Sequence, residues 1–119
     1  MLGLAASVVA GTIDGLMKQA HATATEHGWW DRPRSDGECL MLMVTELSEA
    51  MEGVRGTVDG TYPASEKIPG FNQVEEELAD VLIRIFDFAE QHQLLLGEAL
   101  LAKMEYNESR PYRHGGKAA

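Results

Sequence analysis

Two pairs of acidic residues stand three apart in this 119-residue chain, Glu46 with Glu49 and Glu77 with Asp80. On a helix that spacing turns both side chains to one face, about 60° apart. Two such pairs facing each other would set four negative charges in one space, where desolvation and repulsion disfavour ionisation unless a cation neutralises them. All-oxygen ligation selects a hard divalent ion: Mg²⁺, with Mn²⁺ as its substitute. Mg²⁺ also keeps waters that a substrate phosphate can replace. The spacing alone is common, since Glu49 with Glu52, Asp87 with Glu90 and Glu105 with Glu108 share it. The first two pairs differ in lying at the middles of two neighbouring predicted helices.

Those helices belong to an all-α pattern. Val9, Ile13, Leu16, Met17 and Ala20 recur at helical spacing and predict a first helix from about Leu4 to His27, stopped by Gly28. After a turn holding Trp29, Trp30, Asp31, Arg32 and Pro33, Ser35 or Asp36 can cap a second helix running to Arg55. Its stripe of Leu40, Met43, Val44, Leu47, Met51 and Val54 is expected to face the other helices. Glu46 and Glu49 lie away from that stripe beside Cys39, Leu42, Ala50 and Gly53, a partly apolar surface that something should cover. Residues 56–72 form a long loop, functional or mobile, with Lys67 its only basic residue. A third helix over Gln73 to Gln93 has Val74, Leu78, Val81, Leu82, Ile85 and Ala89 as its stripe, with Phe88 beside it. Glu77, Asp80, Arg84 and Asp87 form a separate row. Gly97 marks a short break or a tolerated helix glycine, and Ala99, Leu100 and Met104 predict a fourth helix ending before Pro111. His114 to Ala119 reads as a loose tail. With no repeat and no strand-like alternation, the expectation is one domain over 1–119, a four-helix bundle.

Composition narrows the partners. Nineteen acidic against ten basic residues give a formal charge of −9, which opposes binding to a nucleic-acid polymer or an anionic membrane. A small polyanion is still admissible, because bound divalent cations invert the field around a carboxylate cluster. Cys39 is the only cysteine, so no intrachain disulfide can form and a reducing cytosol is expected. The apolar stretch from Leu2 to Ala10 lacks a preceding Lys or Arg and is too short to span a bilayer. The methionines read as fillers of irregular core gaps or of an oligomer interface.

Glu46-Leu-Ser-Glu49, then 27 residues, then Glu77-Leu-Ala-Asp80 resembles the EExxE and ExxD metal signature of MazG-like nucleoside triphosphate pyrophosphohydrolases. Thr45 stands where that signature usually has its first glutamate, a change that alters support around the ligands more than the ligands themselves. The likeness extends to Lys103, Asn107 and Arg110 before Pro111, Arg113, His114 and Lys117, and covers most of residues 28–117. It implies a MazG-like helical bundle and Mg²⁺-dependent hydrolysis of a nucleoside triphosphate to monophosphate and pyrophosphate. It implies house-cleaning of aberrant nucleotides and assembly as a homodimer or homotetramer, in which a neighbouring chain sometimes completes the pocket. Glu46, Glu49, Glu77 and Asp80 are then the metal ligands, and Glu46 or Glu49 orients or deprotonates the attacking water. Lys103 as a point charge, Arg110 as a fork and Asn107 as an amide suit a triphosphate. Trp30, or its neighbour Trp29, would stack on the base or plug the bundle end.

Two other readings are open to the same residues. A di-iron carboxylate oxidase also uses glutamates in a helical bundle but needs Glu-x-x-His pairs, and no glutamate here has histidine three residues later. A non-enzymatic partner-binding or assembly module would carry the same acidic rows as solvated surface. Its thermal stability would ignore Mg²⁺ and nucleotide.

Overall fold

Local polar signals set the helix ends in the computed structural model, which describes residues 3–112. Leu2 and the segment with Arg113, Lys117 and the expected tail from His114 lie outside the described residues. Helix α1 runs Gly3–Glu26, and Gly28 follows it with φ +84°. The Gly28 N–H donates to the Thr25 carbonyl and the Trp29 N–H to that of Ala24. This helix closure requires a left-handed residue and so favours glycine. Helix α2, Asp36–Arg55, starts at Ser35, whose hydroxyl accepts the Glu38 N–H at 3.1 Å. Helix α3, Gln73–Gln91, starts with a reciprocal cap. The Asn72 side chain accepts the Glu75 N–H at 2.8 Å, and the Glu75 carboxylate accepts the Asn72 N–H at 2.9 Å. Helix α4 spans Leu96–Ser109 and ends before Pro111. Asn72→Ala should cost about 1 kcal/mol, which a thermal melt would record as a Tm lower by roughly 4–8 °C. An unchanged melt would mean that α3 does not depend on this cap.

The expected all-α architecture with four helices is present, and no strand occurs among the described residues. Packing runs through a chain of pairs, α2 on α3, α3 on α1 and α1 on α4. Helices α2 and α3 are antiparallel. Gly53 near the end of α2 lies against Gln73 and Val74 at the start of α3, while Asp36 at the start of α2 is 3.3 Å from His92 just past the end of α3. Helix α4 approaches α1 backbone to backbone at Gly97, where an added Cβ would sit 3.0 Å from the Ala10 carbonyl oxygen. Gly97 is therefore a contact point in the first turn of α4 rather than a break. The buried centre is small: Ile13, Met17 and Ala89, with Phe86 and Leu96 packed against them. No helix among the described residues is long and apolar enough to cross a membrane.

The apolar stripes have the expected period, but their direction is different. Helix α2 turns Cys39, Glu46, Ala50 and Gly53 inward. Its expected core residues Leu40, Val44, Leu47, Met51 and Val54 stay between 41% and 52% exposed. On α3, Val81 and Ala89 are buried, yet Leu78 and Leu82 are exposed. On α4 the inward residues are Gly97 and Leu101, with Leu100 and Met104 outside. Periodicity identifies an apolar face without saying which neighbour takes it. Here α3 takes the carboxylate side of α2, which is the cover that Glu46 was expected to have.

Candidate metal centre and cleft

The α2 and α3 contact brings the predicted carboxylates together. Glu46 and Glu77 are buried and Asp80 is half-buried, and one carboxylate oxygen from each lies within 4.8 Å of the others. Glu49 is exposed one turn along α2, with its carboxylate against that of Glu77. Glu77 and Asp80 lie beyond the first turn of α3, past the reach of the unpaired N–H groups at the helix start. Burial, then the Glu49 carboxylate, then the charges of Asp80 and Glu76 push the Glu77 carboxyl up to about 8. Asp80 is also raised, first by burial and then by Glu46 and Glu76, against the lowering effect of Lys67 and Arg84.

One oxygen of Glu77, Oε2, is buried with no hydrogen-bond partner among the described residues. Buried polar atoms are almost always partnered, so this oxygen calls for a partner such as an ordered water or a cation. Hard oxygen donors at mutual ligand distance suit Mg²⁺ or Mn²⁺, and Glu46, Glu77 and Asp80 together can hold such an ion. Cys39 is buried and its thiol is raised by that burial, which leaves it inert as a nucleophile.

The cations around the cluster come from α3 and from the long loop. Arg84, one turn after Asp80, donates from Nε to Glu46 Oε1 at 2.8 Å. Residues 56–72 fold back on the start of α3: the Gln73 N–H donates to the Pro63 carbonyl at 2.8 Å and the Ser65 N–H to that of Phe71 at 2.9 Å. This fold places the Ser65 hydroxyl 2.6 Å from Glu76 Oε1, with Lys67 Nζ 4.0 Å from the same carboxylate. Glu76 is thus a fifth acidic group at the centre, buried but already partnered. Sequence reasoning passed over it because its spacing matches neither pair.

A cleft of about 790 Å³ opens beside the carboxylates, within the size range of small-molecule sites. Leu16, Ala20 and Thr23 line it from α1, Glu46 and Glu49 from α2, Asp80, Ile83 and Arg84 from α3, together with Trp29 and Lys67. No family model matches the chain, and no curated protein or solved structure matches it either.

The two tryptophans separate. Trp29 lines the cleft, with the guanidinium carbons of Arg34 and Arg84 3.8 Å and 4.5 Å from its ring centroid. Arg34 also donates to the Trp29 carbonyl at 2.8 Å. Trp30, expected to contact substrate, instead donates its indole N–H to Asp87 Oδ1 at 2.9 Å. The same oxygen lies 2.8 Å from His21 Nδ1. Asp87 thereby ties α1, α3 and the turn between α1 and α2. Sequence reading placed Asp87 on the acidic row but gave it and His21 no role, since contacts between residues 66 apart leave no local signal.

Lys103 and Asn107 are exposed on α4 and Arg110 caps its end, half-buried. Lys103 and Arg110 gather at the Tyr106 ring, 4.6 Å and 5.6 Å from its centroid. None of the three lines the cleft. Helix α4 meets α1 near Ala10, about two turns or more from the cleft residues Ala20 and Thr23. Within one chain these donors and the carboxylates are not brought together.

Proposed function

We propose that this chain hydrolyses nucleoside triphosphates to nucleoside monophosphate and pyrophosphate with a divalent cation, as the MazG-like enzymes it resembles do, and so clears aberrant nucleotides. The observation that carries this reading is the buried, unpartnered Glu77 oxygen among further carboxylates, three of which line a nucleotide-sized cleft. Glu46, Glu49, Glu77 and Asp80 would hold Mg²⁺ or Mn²⁺. Bound there, the ion polarises the phosphoryl oxygens and offsets charge developing on the departing pyrophosphate. Glu49, the exposed member of the set, orients a water and accepts its proton as the water oxygen bonds to the α-phosphorus and the bond to pyrophosphate breaks. Trp29 offers the base an aromatic wall, and Lys67 adds positive charge on the loop side.

Product analysis tests this directly. Incubation with a panel of nucleoside triphosphates should yield monophosphate and pyrophosphate with Mg²⁺ and nothing with EDTA. Orthophosphate as the product, or no turnover across the panel, overturns the reading. A melting temperature indifferent to Mg²⁺ and nucleotide would then favour a helical binding module.

We also propose that the active species is a homodimer joined through the apolar faces of α2 and α3. Leu47 and Leu78 each follow an inward carboxylate by one residue, and in antiparallel helices that step of about 100° turns both to the same side. The exposed Leu40, Val44, Met51 and Leu82 extend this face.

A further inference from the structure

We infer that Arg84 is an exchangeable cation of the site: it neutralises Glu46 until a divalent ion takes that carboxylate, and it then turns to a substrate phosphate. The inference rests on the metal-dependent reading above. Arg84 donates from Nε to Glu46 Oε1 at 2.8 Å, with its side chain 28% exposed against 11% for Glu46. The pair occupies a carboxylate of the group that could hold a metal ion, so ion and guanidinium would compete for the same carboxylate. Nε is only one of five guanidinium donors, and among the described residues Arg84 has no second hydrogen-bonded acceptor. Its outer edge is therefore available to an oxyanion within the cleft it lines.

Trp29 supplies the restraint that the exchange needs. The Arg84 guanidinium carbon lies 4.5 Å from the Trp29 ring centroid, and that ring is anchored from its own backbone by Arg34. A guanidinium resting on an aromatic face stays in place when its carboxylate partner is withdrawn. The other cation at this centre, Lys67, has a side chain 81% exposed and stands 4.0 Å from Glu76. It lacks both the contact with Glu46 and the aromatic rest. Arg84 is thus placed to oppose the metal when the cleft is empty and to assist it when a polyphosphate is present.

The two roles have opposite signs in one variant, which a purely structural arginine would not show. Titration with Mn²⁺ alone, followed by calorimetry or by the loss of free-ion resonance, should give Arg84→Gln a metal affinity roughly tenfold tighter than wild type. Inorganic pyrophosphate, titrated at saturating Mn²⁺, should bind the same variant roughly tenfold more weakly. Arg84→Lys, which keeps the charge, should fall between on both measures. Mg²⁺ alone should change tryptophan emission in wild type and in Trp30→Phe but not in Trp29→Phe. Parallel weakening of both ligands in Arg84→Gln and Arg84→Lys, or an emission change that survives in Trp29→Phe, overturns the exchange while leaving the metal site intact. If wild type itself binds no Mn²⁺, the metal reading fails and the exchange with it.

Discussion

Replacing Glu77 with glutamine is expected to stop turnover while making the metal-stripped protein more stable. The two effects have one cause. Glu77 is buried, has an unpartnered oxygen and lies against Glu49, so in the absence of a cation its ionised form is penalised by both desolvation and repulsion. The amide is nearly isosteric, carries no charge and can donate to the Glu49 carboxylate, but it is a poor ligand for a hard divalent ion. Hydrolysis should fall by about a thousandfold or more in Glu77→Gln, Glu49→Gln and Asp80→Asn, because each removes a charge that holds the cation. Near-normal rates in these variants would refute the ligand assignment.

The pH dependence has a definite sign. A carboxyl whose folded value is raised from 4.5 to about 8 costs nothing below 4.5, where folded and unfolded states both hold the proton. Between those values the unfolded state releases its proton and the folded state retains it, so stability declines as pH rises and levels off above about 8. Wild type in EDTA should therefore lose on the order of 2–4 kcal/mol between pH 5 and pH 8, with a Tm lower by roughly 10 °C. Asp80, raised in the same direction by burial, steepens this decline. Glu77→Gln should flatten it, and Mg²⁺ should raise the Tm of wild type but not of the variant. A wild-type melt independent of pH across this window would contradict the neutral, buried Glu77.

Much of this site was legible because its signals are local. The helix starts at Ser35 and Gln73 follow from short-range capping chemistry, and Asn72-Gln73-Val74-Glu75 is itself a capping pattern. The carboxylates three apart on α2 and α3 needed only helical geometry and two adjacent helices. Three other features depended on contacts distant in sequence. Arg84 and Glu46 are 38 residues apart, and nothing in a one-dimensional pattern distinguishes that partner from Asp80 on the same row. The different surroundings of Trp29 and Trp30 depend on Asp87 accepting the indole N–H of the second. The facing of α2 was misjudged because an apolar stripe was assumed to seek the chain's own core. That assumption fails here because α3 packs on the side of α2 that carries Glu46, Ala50 and Gly53.

The misjudged stripe leads to the second large effect. Leu47→Asp combined with Leu82→Asp should convert a dimer into monomers of 13.0 kDa and weaken self-association by at least about a hundredfold. The chain exposes 8473 Å², roughly 2,000 Å² more than a folded monomer of 13.0 kDa is expected to show. A stable interface covers about 800 Å² per partner, so a second copy lying over α2 and α3 would cover less than half of that excess. Buried charges facing apolar residues of the other copy would oppose docking strongly. Light scattering at tens of micromolar should give twice the chain mass for wild type, and its Tm should rise with concentration, as mass action requires when folding and association are linked. Because this face points away from the α1 side where the cleft lies, the double variant should keep its Mn²⁺ affinity even as it loses stability. A wild type that scatters as a 13.0 kDa species with full activity would remove the dimer. Loss of Mn²⁺ binding together with the dimer would instead mean that the second copy shapes the carboxylate cluster itself.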